Sequence, residues 1–63
     1  MSAGLYRQVA ALLAAHGFSL AGQRGSHQKW KNDAGLAVAL PVTLVSRHTG
    51  NAILRQAGIS AKI

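Results

Sequence analysis

The amino-acid sequence predicts an α+β fold in the order α-β-β-β-α, with three antiparallel strands and both helices on one face of the sheet. Three observations predict it. Apolar residues recur at helical spacing near both ends of the chain, the apolar period drops to two between them, and glycines or short polar clusters mark the changes of period. Packing two amphipathic helices over one face of a short sheet is the most economical way to bury these stripes.

The first helix is expected over residues 2–16. Leu5, Val9, Leu12, Leu13 and His16 fall on one helical face, and Ala10, Ala11, Ala14 and Ala15 raise helix propensity. Ser2 is the expected N-cap, and Gly17 stands where a left-handed residue ends a helix. A first strand follows, with Phe18 and Leu20 on one face and Ser19 and Ala21 on the other. Gly22 and Gly25 then bracket a turn around Gln23 and Arg24. Residues 26–31 form the second strand, where His27, Lys29 and Lys31 share one face and Gln28 and Trp30 share the other, Trp30 marking the core side. Asn32, Asp33, Ala34 and Gly35 make a turn. Leu36, Val38 and Leu40 alternate with Ala37 and Ala39 until Pro41 stops the third strand, which is hairpinned to the second. Residues 42–48 read as coil or an edge strand. The second helix is expected over residues 50–57, with Thr49 as N-cap, Ile53, Leu54 and Ala57 as its apolar stripe, and Gly58-Ile59 as a Schellman ending. The sequence holds no internal repeat, linker or low-complexity tract.

A chain of 63 residues allows a single domain, residues 1–63, because one small core leaves too little apolar surface for another. It contains no cysteine, which removes disulfides, thiolate-held zinc and a thiol nucleophile, and leaves a partner as a source of stability. The longest apolar run, residues 9–15, is far shorter than the roughly 20 residues that span a bilayer. Arg7 ahead of that run resembles the start of a secretory signal, but cleavage there would leave too little chain to fold without disulfides, and none is expected.

Charge narrows the function further. Seven Lys and Arg face one acid, for a formal net charge of +6, and such a balance points to a polyanion, nucleic acid first. With Asp33 as its only carboxylate, the chain excludes glycosidase pairs, aspartic dyads and carboxylate-held two-metal nuclease sites. RNA, however, carries its own nucleophile in the 2′-hydroxyl. Its cleavage needs a base, a leaving-group acid and cations on the phosphate, with no metal, cofactor or carboxylate.

The strand pattern shows where such groups would lie. Phe18, Leu20, Trp30, Leu36, Val38 and Leu40 are expected beneath the helices, which leaves His27, Lys29 and Lys31 on the open face beside Ala37 and Ala39. Imidazole titrates near pH 6.5 and transfers protons near neutrality, so His27 is the best-placed proton-transfer group. Lys29, Lys31 and Arg24 are placed to hold phosphates, and Ser26 to fix the strand start or contact a phosphate. Spacing alone leaves a second reading of His27, a solvated strand residue beside two lysines. His16 suits capping of the first helix. His48, beside a helix N-terminus, is the candidate for a second catalytic group, with a solvated role as its alternative. Histidines at 16, 27 and 48 fit no compact metal spacing, so no metal site is expected. Arg47, Arg55 and Lys62 read as a solvated cationic surface able to meet RNA or an acidic protein.

The run Gly17-Phe18, then Arg24-Gly25-Ser26-His27 with Trp30 three residues on, then Leu40-Pro41, Thr49 and Ile53-Leu54-Arg55-Gln56-Ala57-Gly58-Ile59, resembles the HicA family of bacterial and archaeal toxins. The resemblance covers nearly the whole chain. It implies a double-stranded-RNA-binding-like fold and a cytoplasmic toxin of a type II toxin–antitoxin system. It further implies a metal-independent endoribonuclease that cleaves messenger RNA and is held in check by a HicB-like antitoxin. The family's catalytic histidine follows Gly-Ser at the start of the second strand, a role that falls on His27. Family members often carry a histidine or charged residues just after the Leu-Pro or Val-Pro; here stand Val42, Thr43, Leu44 and Val45. That departure sustains an alternative, a decayed module that binds RNA without cutting it. A membrane-active peptide is a third class, poorly supported because Arg7 is the first helix's only cation.

Overall fold

The computed structural model describes residues 4–63 and has the element order α1 (Leu5–Ala15), β1 (Ser19–Arg24), β2 (His27–Lys31), β3 (Ala37–Pro41) and α2 (Arg47–Gln56). The strands form one antiparallel sheet in the order β1-β2-β3. The predicted α+β class and α-β-β-β-α order are therefore observed.

Helix α1 is shorter than the expected 2–16. Gly4 takes an extended N-cap conformation with no side-chain cap, and the helix begins at Leu5. Glycine inside a helix costs about 1 kcal/mol relative to alanine, which favours starting the helix past it. The cap predicted at Ser2 lies outside the described residues. At the other end, Gly17 has φ of 88°, its N–H donates to the Ala14 carbonyl at 3.2 Å, and the Phe18 N–H donates to the Leu13 carbonyl at 2.9 Å. This is the Schellman pattern, closed by buried Phe18 against buried Leu13. Helix α2 ends the same way: Gly58 donates to Arg55 at 3.0 Å and Ile59 to Leu54 at 2.9 Å.

The start of α2 corrects the sequence reading. The N-cap is Ser46, whose hydroxyl accepts from the Thr49 N–H at 3.3 Å, so the helix starts at Arg47 and Thr49 lies within its first turn. Starting at Arg47 moves Gly50 from the first position of the expected helix to the fourth of the observed one, where it is buried. A Cβ there would meet Ile63 Cδ1 at 2.7 Å, Val9 Cγ2 at 3.2 Å and Leu44 Cδ2 at 3.4 Å. Gly50 is thus a point where α2 packs directly against Val9 of α1. Residues 42–46 are coil and turn, with Leu44 buried below α2.

The β1-β2 connection is also tighter than expected. The strand runs through Gln23 and Arg24, and the turn shrinks to Gly25-Ser26 with Arg24 opposite His27. Gly25 has φ of 59° and no non-glycine described residue has positive φ, the signature of a type II′ turn. Gly22 instead follows a register skip between Leu20 and Gly22, so it belongs to a bulge. In β3 the strand starts at Ala37 and includes Pro41, which pairs with His27 on an edge strand where proline is tolerated. The Asn32–Gly35 turn forms as predicted: Asn32 exchanges backbone bonds with Leu36 and Gly35, and its Oδ1 accepts from the Leu36 N–H at 2.9 Å.

The core is eccentric. Val9, Leu13, Leu40 and Leu54 are fully buried, and Phe18, Val38, Leu44, Ile53, Ala57 and Ile59 surround them. Leu20 and Leu36, expected beneath the helices, are 49% and 42% exposed. The reason is placement: α1 and α2 lie over β3, and every residue of β1 is exposed.

Candidate functional site

Alternation along β2 buries Gln28, half-buries Trp30, and sends His27, Lys29 and Lys31 to the face away from the helices. The register then decides their neighbours. Arg24 on β1 and Pro41 on β3 flank His27; Gly22 and Ala39 flank Lys29; Ser19 and Ala37 flank Lys31. Directly opposed residues hold their Cβ atoms about 5 Å apart, so Arg24 is His27's immediate cross-strand neighbour. Because the turn is only two residues long, Arg24 stands within the ladder; a turn around Gln23 and Arg24 would have left it on a loop.

Between these cations the side chains are small. Ala21, Gly22 and Ala39, with Gln23, Arg24, His27, Gln28 and Lys29, line an open concavity of about 440 Å³. No ladder position on this face is acidic, and Asp33 sits in the β2-β3 turn. Like charges two residues apart on one strand face repel, a cost that solvent lowers and a bound polyanion would remove.

The opposite side of the same hairpin carries a hydrogen-bonded network with no counterpart in the sequence reading. Gln28, the one buried polar residue among those described, accepts on Oε1 from the Tyr6 hydroxyl at 2.9 Å and from Trp30 Nε1 at 3.0 Å. Its Nε2 donates to Gln23 Oε1 at 3.2 Å, and Gln23 Nε2 donates to the Gly25 carbonyl at 3.0 Å. The next carbonyl, that of Ser26, accepts from the Val42 N–H at 2.8 Å. Trp30 therefore packs toward the core as its parity predicts. The period of two could place Gln28 on that face, but nothing in the sequence marks a glutamine as the hub of a network.

The other histidines lie elsewhere. His16 caps α1, its ring Nδ1–H donating to the Leu12 carbonyl at 2.8 Å. His48 is in the first turn of α2, not in the loop before it, and lines a separate groove of about 490 Å³ with Asn51, Arg55, Ile59 and Lys62. The structure thus brings together His27, Arg24, Lys29 and Lys31, with Ser26 half-buried at the turn, and leaves His48 apart from them. Among the described residues no three His, Cys, Asp or Glu side chains converge as metal ligands, and no helix is long and apolar enough to cross a membrane.

The family model described as "HicA toxin of bacterial toxin-antitoxin" matches residues 6–59, a span that takes in all three strands, α2 and nearly all of α1. No curated protein and no solved structure is matched.

Proposed function

Since the chain belongs to the HicA toxin family, toxins of toxin–antitoxin pairs, we propose that it is a metal-independent endoribonuclease that cleaves messenger RNA in the cytoplasm, folded as a single domain, with His27 as its catalytic group. One observation carries this reading. His27 stands on the uncovered sheet face between Arg24 across the hairpin and Lys29 along the strand, with small side chains leaving room for a sugar-phosphate chain.

The chemistry follows from the substrate. The His27 imidazole takes the proton of a ribose 2′-hydroxyl as that oxygen bonds to the adjacent phosphorus. The bond from phosphorus to the 5′-oxygen breaks, solvent protonates the leaving oxygen, and a 2′,3′-cyclic phosphate remains on the upstream fragment. Arg24 and Lys29 hold the non-bridging oxygens where negative charge grows, while Lys31 and Ser26 extend the contact along the strand. The chain's only acidic side chain, Asp33, is on the β2-β3 turn, so no pair of acidic side chains is available to hold a catalytic metal. A HicB-like antitoxin would silence the enzyme by covering the His27 face and neutralising its charge.

The test is cleavage of a labelled messenger RNA in EDTA by the parent and by His27→Ala, with circular dichroism showing both folded. The parent is expected to cut and His27→Ala to lose about 10²–10⁴-fold, the usual share of positioned proton transfer. His48 lies in a separate groove, leaving one imidazole on the open face, and this favours a second reading in which the face binds RNA without cutting it. Binding by both proteins with cleavage by neither would establish that reading in place of the first.

A further inference from the structure

We infer that Gln28 and Gln23 are positioning residues for His27: they tie the hairpin turn that carries it to the helical layer. The inference rests on the assignment of His27 above and deepens it. β1 is exposed throughout and forms an edge of the sheet, and in the turn at its end Gly25 is exposed and Ser26 half-buried. A two-residue turn on such an edge belongs to the parts of a fold that open most readily. Here it is held. From Tyr6 on α1, hydrogen bonds pass to Gln28 Oε1, from Gln28 Nε2 to Gln23, and from Gln23 Nε2 to the Gly25 carbonyl, two residues before His27.

The geometry makes the coupling direct. Gln28 follows His27 in β2, so the backbone that sends His27 outward sends Gln28 inward, and fixing one side chain restricts the other's strand. A buried amide at this place would be a poor choice if packing were its only duty, since an apolar side chain needs no partners. Every polar atom of Gln28 is instead engaged, with Trp30 and Tyr6 on its oxygen and Gln23 on its nitrogen. Gln23 is exposed, so its bond to the turn adds little core packing.

The decisive variant is Gln23→Glu. It keeps an oxygen to accept from Gln28 Nε2 but loses the donor to the Gly25 carbonyl, cutting the relay at its last link. Gln28→Met, similar in length and apolar, removes the hub. Measured on the RNA cleaved by the parent, both variants are expected to lower kcat about tenfold, as small misplacements of a reacting group do, with KM within twofold for the uncharged Gln28→Met. Gln23→Glu is further expected to keep the parent's Tm, and its Gly25 and Ser26 amides to show lower ¹⁵N order parameters. A lowered Tm with kcat unchanged would mean a structural role only and overturn the inference. If the parent itself does not cleave, the endoribonuclease reading fails separately, and the order parameters decide the relay: unchanged values at Gly25 and Ser26 in Gln23→Glu overturn it, and a fall supports it.

Discussion

Gly50→Ala tests whether the two helices are as tightly opposed as their geometry indicates. The new methyl would lie 2.7 Å from Ile63 Cδ1, 3.2 Å from Val9 Cγ2 and 3.4 Å from Leu44 Cδ2. The first of these atoms is the tip of a flexible side chain and can move. Val9 is different: it is fully buried in α1, and β-branching confines its χ1 within a helix. Overpacking of this kind costs about 1–3 kcal/mol, while replacing glycine inside a helix returns about 0.5–1 kcal/mol. The balance runs from about zero to a loss of about 2.5 kcal/mol, equivalent to a fall in Tm of up to about 20 °C for a domain of this size. Thermal unfolding followed at 222 nm by circular dichroism reads it directly. A double-mutant cycle locates the cause: in a Val9→Ala background the same substitution is expected to cost less, because the obstructing methyl is gone. A Tm that rises in Gly50→Ala, or costs that simply add in the double variant, would refute the close approach of α1 and α2 at this point.

Other outcomes follow from single features. Ser46→Ala removes the hydroxyl that accepts from the Thr49 N–H, and is expected to cost about 1 kcal/mol, read as a lower midpoint in urea with unchanged slope. Lys29→Ala, on the open face, is expected to leave the unfolding midpoint within error. It should reduce the slope of log affinity for single-stranded RNA against log salt by about 0.7, the loss of one phosphate contact.

The sequence was most informative where structure is set locally. The endings at Gly17 and Gly58 could be read because a left-handed residue and the following apolar partner are adjacent in sequence, and the chain obeys that pattern at both helices. The face shared by His27, Lys29 and Lys31 was legible for a similar reason, since alternation along one strand needs no knowledge of its neighbours. Choices settled by distant contacts were less legible. Gly22 and Gly25 carry equal local signals for a turn; cross-strand pairing makes one a bulge and the other the turn. Ser46 and Thr49 are both competent caps three residues apart, and the helix observed starts from the earlier one and holds Gly50 against Val9. Periodicity assigned Leu20 and Leu36 to the helix-facing side of the sheet but could not show that the helices would sit over β3. The sequence marks Arg24 as a phosphate contact, yet its place directly across from His27 depends on the register of β1, which the expected turn would forbid.

The off-centre placement of the helices divides the molecule's evolutionary constraints. Side chains around β3, α1 and α2 are held by packing, so replacing them threatens folding before it touches the sheet's open face. Arg24, Gly22 and Ser19 on β1 are exposed, and substitution there is expected to cost folding little. A lineage carrying this fold can therefore retune charge and shape along the β1 border of the His27 surface by single substitutions, with no compensating repair in the core.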